Sequence, residues 1–114
     1  MNDSILDTIK KMLGIDPSYT QFDEDVIVLI NSAFSNLAQV GVIPTSGYRI
    51  ESSSNTWDEV LGEHLNYDNL KSYIYLKVRV LFNPPSTSFA LQAIQDEIKE
   101  LEWRIYIEGG DEDG

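Results

Sequence analysis

Two consecutive prolines divide the second half of the chain and limit how that half can fold. Pro84 and Pro85 follow Asn83, and each disfavours the helical conformation of the residue before it, so no helix runs through this point. The preceding residues, 67–82, are largely apolar on all sides, which predicts a covered central helix and leaves a strand as the rival interpretation. After Ser86, the expected cap, an apolar stripe recurs at helical spacing: Leu91, Ile94, Ile98, Leu101 and Ile105. The sequence therefore predicts two packed helices joined at a proline hinge.

Capping residues and glycines delimit three further helices in the first half of the chain. Polar side chains with an oxygen acceptor favour helix starts, and glycine favours helix ends. The third of these helices opens on a capping-box pattern, Thr56 followed by Glu59. The expected spans are 4–13 between Asp3 and Gly14, 23–40 between Asp23 and Gly41, and 56–61 between Thr56 and Gly62.

Between the second and third helices, residues 42–55 lack helical periodicity. A proline, a glycine and consecutive serines surround the short segment 48–50, so we expect an irregular loop with room for a short strand or hairpin. The fold class is therefore all-α, a small bundle of about five helices. We expect one helical domain over residues 1–108 and a flexible acidic tail over 109–114.

The charge balance and the absence of cysteine exclude several classes of protein. Nineteen acidic residues against eight basic ones give a net charge of −11, which disfavours non-specific binding to nucleic acid or to a membrane. Without cysteine there is no disulfide framework, thiolate metal site or cysteine nucleophile. The longest strongly apolar run, residues 26–30, is far shorter than the about 20 residues of a membrane span, and no secretory signal is recognisable. We expect an intracellular or virion protein.

No arrangement of residues in the sequence indicates catalysis. The sequence patterns of nucleophile elbows, phosphate-binding loops, dinucleotide-binding turns and zinc proteases do not occur. His64 is the one histidine, and a surface or boundary position is the simpler interpretation of it than a catalytic triad. The carboxylates of residues 23–25 suit a helix start better than a calcium loop, because Val28 stands where an EF-hand needs glycine. We therefore expect no enzyme, no metal ion and no cofactor.

Several aromatic and basic residues are candidates for contacts with other proteins. Lys77 and Arg79 interrupt the apolar central helix, either with their stems along the core or as partners in intersubunit ion pairs. Trp57 and Trp103 suit either core packing or an interface, and Trp103 lies off the apolar stripe of the last helix. Tyr48 and Ile50, which lie in the 42–55 loop, either pack beneath the loop or dock on a partner. The complete candidate interface is Tyr48, Arg49, Ile50, Trp57, Lys77, Arg79, Trp103, Tyr106 and Ile107.

The order of these features is similar to that of a known family. The features lie in the run LKVRVLFNPPSTSFALQAIQDEIKELEWRI at residues 76–105 and in YRI at 48–50 followed by TWD at 56–58. This combination resembles the phage head-tail connector family, the small adaptor proteins that assemble beneath the portal of tailed-phage capsids. Asn83 departs from the family pattern, in which an aspartate is expected, and asparagine also suits a turn.

The resemblance implies a non-catalytic virion protein. It implies a homo-oligomeric ring under the portal that extends the DNA channel without binding DNA specifically and receives a stopper or tail-completion protein. The chain would lie at the head-tail junction, and in the host cytoplasm before assembly. The end of the last helix and the tail beyond Tyr106 are the expected portal-docking segment, and the 42–55 loop is expected to face the channel or an adjacent subunit. The alternative is a small acidic regulator or DNA mimic that binds a host enzyme, an interpretation that rests on the net charge of −11.

Overall fold

The chain folds into helices in the order that the sequence predicts. The computed structural model describes residues 3–41, 48–61 and 66–110, the last three of them by their backbone alone. The helices are α1 (Ile5–Met12), α2 (Asp23–Gln39), α3 (Asp58–Leu61), α4 (Tyr67–Phe82) and α5 (Ser88–Gly110). Within the described ranges there is no strand, and Ser4 and Thr56 form an isolated β-bridge. The prediction of an all-α fold is confirmed.

The core lies between α2 and α4; α1 packs against both of these helices, and α5 packs against α4. The sequence predicts that α4 is the most covered helix, but α2 contributes more buried residues. The reason is that α4 turns a strip of partly exposed side chains, which includes Lys77 and Val80, towards a groove beside α5. The largest fully buried side chains are Trp57, Tyr73, Lys10, Phe34, Ile5, Leu6, Ile9, Ile30, Leu37, Ile50, Leu70 and Ile74.

Local signals fix the ends of α1 and α2, with some changes from the predicted caps. Ser4, and not Asp3, caps α1, because its Oγ accepts a hydrogen bond from the backbone N–H of Asp7 at 3.1 Å. Gly14 and Gly41 follow α1 and α2 with φ of +86° and +84°, a left-handed conformation that glycine adopts at little cost. Both glycines therefore end their helices as predicted.

A buried ion pair fastens the end of α1 to the start of α2. Lys10 is fully buried, and its Nζ lies 2.7 Å from Oδ1 of Asp23. The same ammonium donates a hydrogen bond to the carbonyl of Pro17 at 2.9 Å. Asp23 is thus the first residue of α2 and a partner of Lys10, whereas the sequence predicts a simple helix cap.

The segment before α3 is irregular, but its backbone is held against α2. The side chain of Asn31 on α2 accepts a hydrogen bond from the N–H of Ile50 at 2.8 Å and donates one to its carbonyl at 3.1 Å. Trp57 is also anchored, since its indole Nε1 donates to Oγ1 of Thr8 on α1 at 3.1 Å. The described part of the predicted loop, residues 48–55, is therefore held in place at both ends, and its residues 42–47 lie outside the described part of the chain.

The proline hinge joins α4 and α5 as predicted. α4 ends at Phe82, and the N–H of Asn83 donates to the carbonyl of Arg79 at 2.8 Å. α5 begins at Ser88, and Thr87 caps it by accepting a hydrogen bond from the N–H of Ala90 at 3.1 Å, whereas the sequence predicts Ser86 as the cap. At its other end α5 continues to Gly110.

Burial along the apolar stripe of α5 is uneven. Leu101 and Ile105 are buried, at 3% and 0% exposure. Leu91, Ile94 and Ile98 are only partly buried, although the spacing predicts that the whole stripe faces the core. Among the described side chains of α5, the buried ones lie only in its second half. Away from the stripe, the first half of α5 is exposed at Gln92, Ala93, Gln95, Asp96 and Glu97.

Candidate interaction surfaces

Two of the nine candidate interface residues are part of the core. Ile50 is 1% exposed and Trp57 is 0% exposed, so their side chains offer no surface to a partner. Trp57 packs edge-on against Tyr67, with ring centroids 5.5 Å apart. Tyr48 is half-buried, with its ring edge-on to Phe34 at 5.1 Å.

A hydrogen-bonded cluster around Glu59 fixes the loop near Arg49, which is exposed. The hydroxyl of Tyr48 and Nδ2 of Asn55 donate to Oε1 of Glu59 at 2.6 and 2.9 Å. The N–H of Thr56 donates to the other carboxylate oxygen at 3.2 Å, as the capping-box pattern predicts. The hydrogen bond from Asn55, followed by that from Tyr48, lowers the pKa of Glu59, since both stabilise the charged form.

Lys77 and Arg79, the two candidate interface residues on α4, are half-buried. Nζ of Lys77 lies 5.9 Å from the ring centroid of Tyr73, over its face. The hydroxyl of Tyr73 donates to Oε2 of Glu102 on α5 at 3.1 Å, and burial together with this carboxylate raises the pKa of the phenol. The stem of Lys77 thus lies beside the α4–α5 contact, while Arg79 is partly exposed on the same helix.

A groove lies between α2, α4 and α5, and we call it the three-helix groove. Its volume is about 540 Å³, and apolar side chains from all three helices line it, among them Leu29, Val80, Leu81 and Ile98. Lys77 and Lys99 add positive charge to the lining, next to Glu102. The sequence does not predict this groove, because an apolar stripe does not show where neighbouring helices leave space between them.

The remaining candidates form an exposed aromatic patch at the end of α5, which we call the α5 terminal patch. Trp103, Tyr106 and Ile107 are 61%, 48% and 38% exposed. The rings of Trp103 and Tyr106 stack with centroids 6.2 Å apart. Val40, the residue that caps the end of α2, and Lys99 lie beside them along a shallow depression of about 370 Å³. Exposed aromatic side chains of this kind are frequent anchors of protein interfaces.

Further exposed apolar side chains lie outside the predicted interface. Phe89 is 86% exposed on the first turn of α5, and Val28 and Leu81 are each 65% exposed. None of the three is among the predicted interface residues, although Phe89 carries a recognisable signal, since it lies off the Leu91–Ile105 stripe. Eight of the nine candidates are thus divided among the core, the loop, the three-helix groove and the α5 terminal patch, and the ninth, Arg79, lies partly exposed on α4.

The described residues carry no evident catalytic or metal-binding cluster. Over the described ranges, no group of three or more histidine, aspartate or glutamate side chains is placed to hold a metal ion. Asp23, in the acidic start of α2, is paired with Lys10. His64 lies outside the described residues.

Comparison with known protein families identifies the chain. A family model described as a phage connector protein matches residues 5–112, a range that includes all five helices. No curated protein and no solved structure matches the chain significantly. None of the described helices is long and apolar enough to cross a bilayer. The chain therefore belongs to the phage connector protein family, whose members are structural, non-enzymatic components of the virion with a role in head-tail connection.

Proposed function

We propose that this chain is a head-tail connector that forms a homo-oligomeric ring beneath the portal and extends the DNA channel. Its far side receives a stopper or tail-completion protein, and the chain resides in the host cytoplasm before assembly. The observation that carries the proposal is the α5 terminal patch, with Trp103 at 61% exposure on a chain of the connector family. Exposed apolar patches mark interaction sites, and clustered aromatic side chains such as this stacked pair are frequent anchors of protein interfaces.

The proposed channel role is supported by charge. At −11 per chain, a ring has a strongly negative surface that repels the DNA backbone, so DNA passes without specific binding. We favour this role over a DNA mimic or acidic regulator, because the exposed surface of α5 interleaves acids with Phe89, Trp103 and Ile107. A mimic needs an uninterrupted face of carboxylates.

We assign portal docking to the α5 terminal patch. Replacing both aromatic rings, by Trp103→Ala and Tyr106→Ala, removes about 2 kcal/mol or more of binding free energy if they anchor the interface, which is about a thirtyfold loss of affinity. The measurement is light scattering coupled to size-exclusion chromatography of the chain with and without a candidate portal ring. Removal of residues 107–114 should also weaken co-elution while leaving the helical circular dichroism signal intact.

The matched control is Gln92→Ala, an exposed substitution on the same helix away from the patch. It should leave portal binding and thermal unfolding unchanged. Full-strength portal binding by the double alanine variant would contradict the docking assignment. If the wild-type chain neither binds a portal ring nor forms a ring, the proposed connector role itself fails.

A further inference from the structure

The first half of α5 exposes two surfaces on opposite sides of the helix. Ile98 lines the three-helix groove and follows Phe89 by nine residues, about two and a half helical turns, so their side chains leave the helix in opposite directions. Ala93 and Asp96 follow Phe89 at helical spacing, and both are exposed. We call Phe89, Ala93 and Asp96 the outer face of α5. The groove and the outer face can therefore contact different molecules at the same time.

Phe89 is the most exposed of the chain's large hydrophobic side chains within the described ranges, at 86%. It lies directly after the proline hinge, on a helix capped by Thr87, so its position is fixed by local structure. The three-helix groove offers about 540 Å³ of space lined by Leu29, Val80 and Leu81. A largely exposed aromatic side chain thus coexists with an apolar groove that is open on another side of the same chain.

The charges of the two surfaces are complementary. Lys77 and Lys99 lie along the groove, and they are two of only eight basic residues in a chain with nineteen acidic ones. On α5 before Ile98, the charged residues are Asp96 and Glu97, both exposed and both acidic. Glu102 also lines the groove, but its carboxylate accepts the hydrogen bond of Tyr73. An acidic helix therefore suits this groove better than a basic one does.

We infer that the three-helix groove binds the outer face of α5 from a second copy of this chain, with Phe89 inserted between Val80 and Leu81. The inference rests on the proposed ring and names its subunit contact. The contact is heterologous: each copy contributes its outer face to one neighbour and its groove to the other, so repetition generates a ring or an open helical array. Asp96 of one copy then lies near Lys77 and Lys99 of the next.

Single-cysteine variants test this contact directly, because the natural chain has no cysteine. Ser32→Cys places a thiol in the groove and Ala93→Cys places one beside Phe89, at positions that are both exposed. The two variants are mixed under conditions in which light scattering shows assembly, oxidised mildly, and analysed by non-reducing electrophoresis. The expected product is a disulfide between one chain of each kind, in at least about tenfold excess over the product from either variant alone.

Two controls separate this contact from random collision. Phe89→Ser in the Ala93→Cys chain should remove the cross-link while leaving thermal unfolding unchanged, because Phe89 is 86% exposed. Ser53→Cys, an exposed thiol on the loop before α3, should give no cross-link with Ala93→Cys above background.

The outcomes are distinct. Three results would overturn the inference and leave the proposed ring intact. The first is assembly without a Ser32–Ala93 cross-link, and the second is assembly with Ala93–Ala93 links in excess. The third is assembly in which Ser32→Cys is linked instead to a single-cysteine portal. Absence of self-assembly, with and without a portal, would overturn both.

Discussion

The ion pair of Lys10 and Asp23 holds the end of α1 against the start of α2. Asp23→Ala leaves the Lys10 ammonium, which is 0% exposed, without its anionic partner. Removal of one partner from a buried pair costs more than the pair itself contributes, because the remaining charge stays desolvated. We expect the free energy of unfolding to fall by about 3 kcal/mol, measured by urea denaturation with an unchanged m-value.

The control for this prediction is Asp25→Ala. Asp25 is an exposed acid in the same first turn of α2, so its loss removes only a favourable interaction with the helix dipole, which is worth less than about 1 kcal/mol. Addition of Lys10→Met to Asp23→Ala should restore most of the lost stability, since no buried charge then remains. Equal losses for Asp23→Ala and Asp25→Ala would show that the ion pair contributes nothing of its own.

At the residue scale, the sequence predicts caps and stops but not long-range polar pairs. Gly14 and Gly41 are recognisable because the conformation that they adopt is local. The pairing of Asn31 with the backbone of Ile50 spans 19 positions, and nothing near either residue indicates it. The sequence also leaves the role of Trp57 open, since tryptophan suits a core as well as an interface.

Among the helices, α5 provides the sharpest test, because its apolar stripe changes from partly buried to fully buried along its length. Ile105→Ala creates a cavity in a fully buried site and should lower the free energy of unfolding by about 2 to 5 kcal/mol. Leu91→Ala, on the same stripe but partly exposed, should cost less than about half as much. Urea denaturation of both variants measures the difference, and equal losses would mean that the first half of α5 packs as tightly as the second.

The bounds of the helices could be predicted from the sequence more closely than the contacts between them. α4 has the predicted bounds, because Asn66 accepts a hydrogen bond from the N–H of Asn69 at its start and the prolines stop it at its end. The stripe of α5 indicates which side of the helix is apolar. It does not indicate which parts of that side other helices cover, and Leu91 is covered only in part. For this reason the three-helix groove could not be predicted from the sequence.

At the scale of the whole molecule, the net charge of −11 opposes contact between copies. An increase in salt from about 0.1 M to about 1 M shortens the Debye length from about 10 Å to about 3 Å, which screens this repulsion. We expect self-association of the free chain to strengthen by about tenfold or more over this range, measured by sedimentation equilibrium. Thermal unfolding at both salt concentrations serves as the control for an unchanged fold. Weaker association at high salt would show that attraction between opposite charges dominates instead.

The placement of the groove and of Phe89 on opposite sides of α5 has a consequence for mixtures of intact and altered chains. A chain with Phe89→Ser keeps its groove, so the groove can still bind the outer face of one neighbour. Its own outer face, however, can no longer bind the groove of the next neighbour. Such a chain would act as a terminator, leaving arcs that are unable to close. Because every contact of a closed circle must form, a minor fraction of altered chains should prevent most circles from closing. This effect of the altered fraction should grow steeper as the number of subunits in the circle increases.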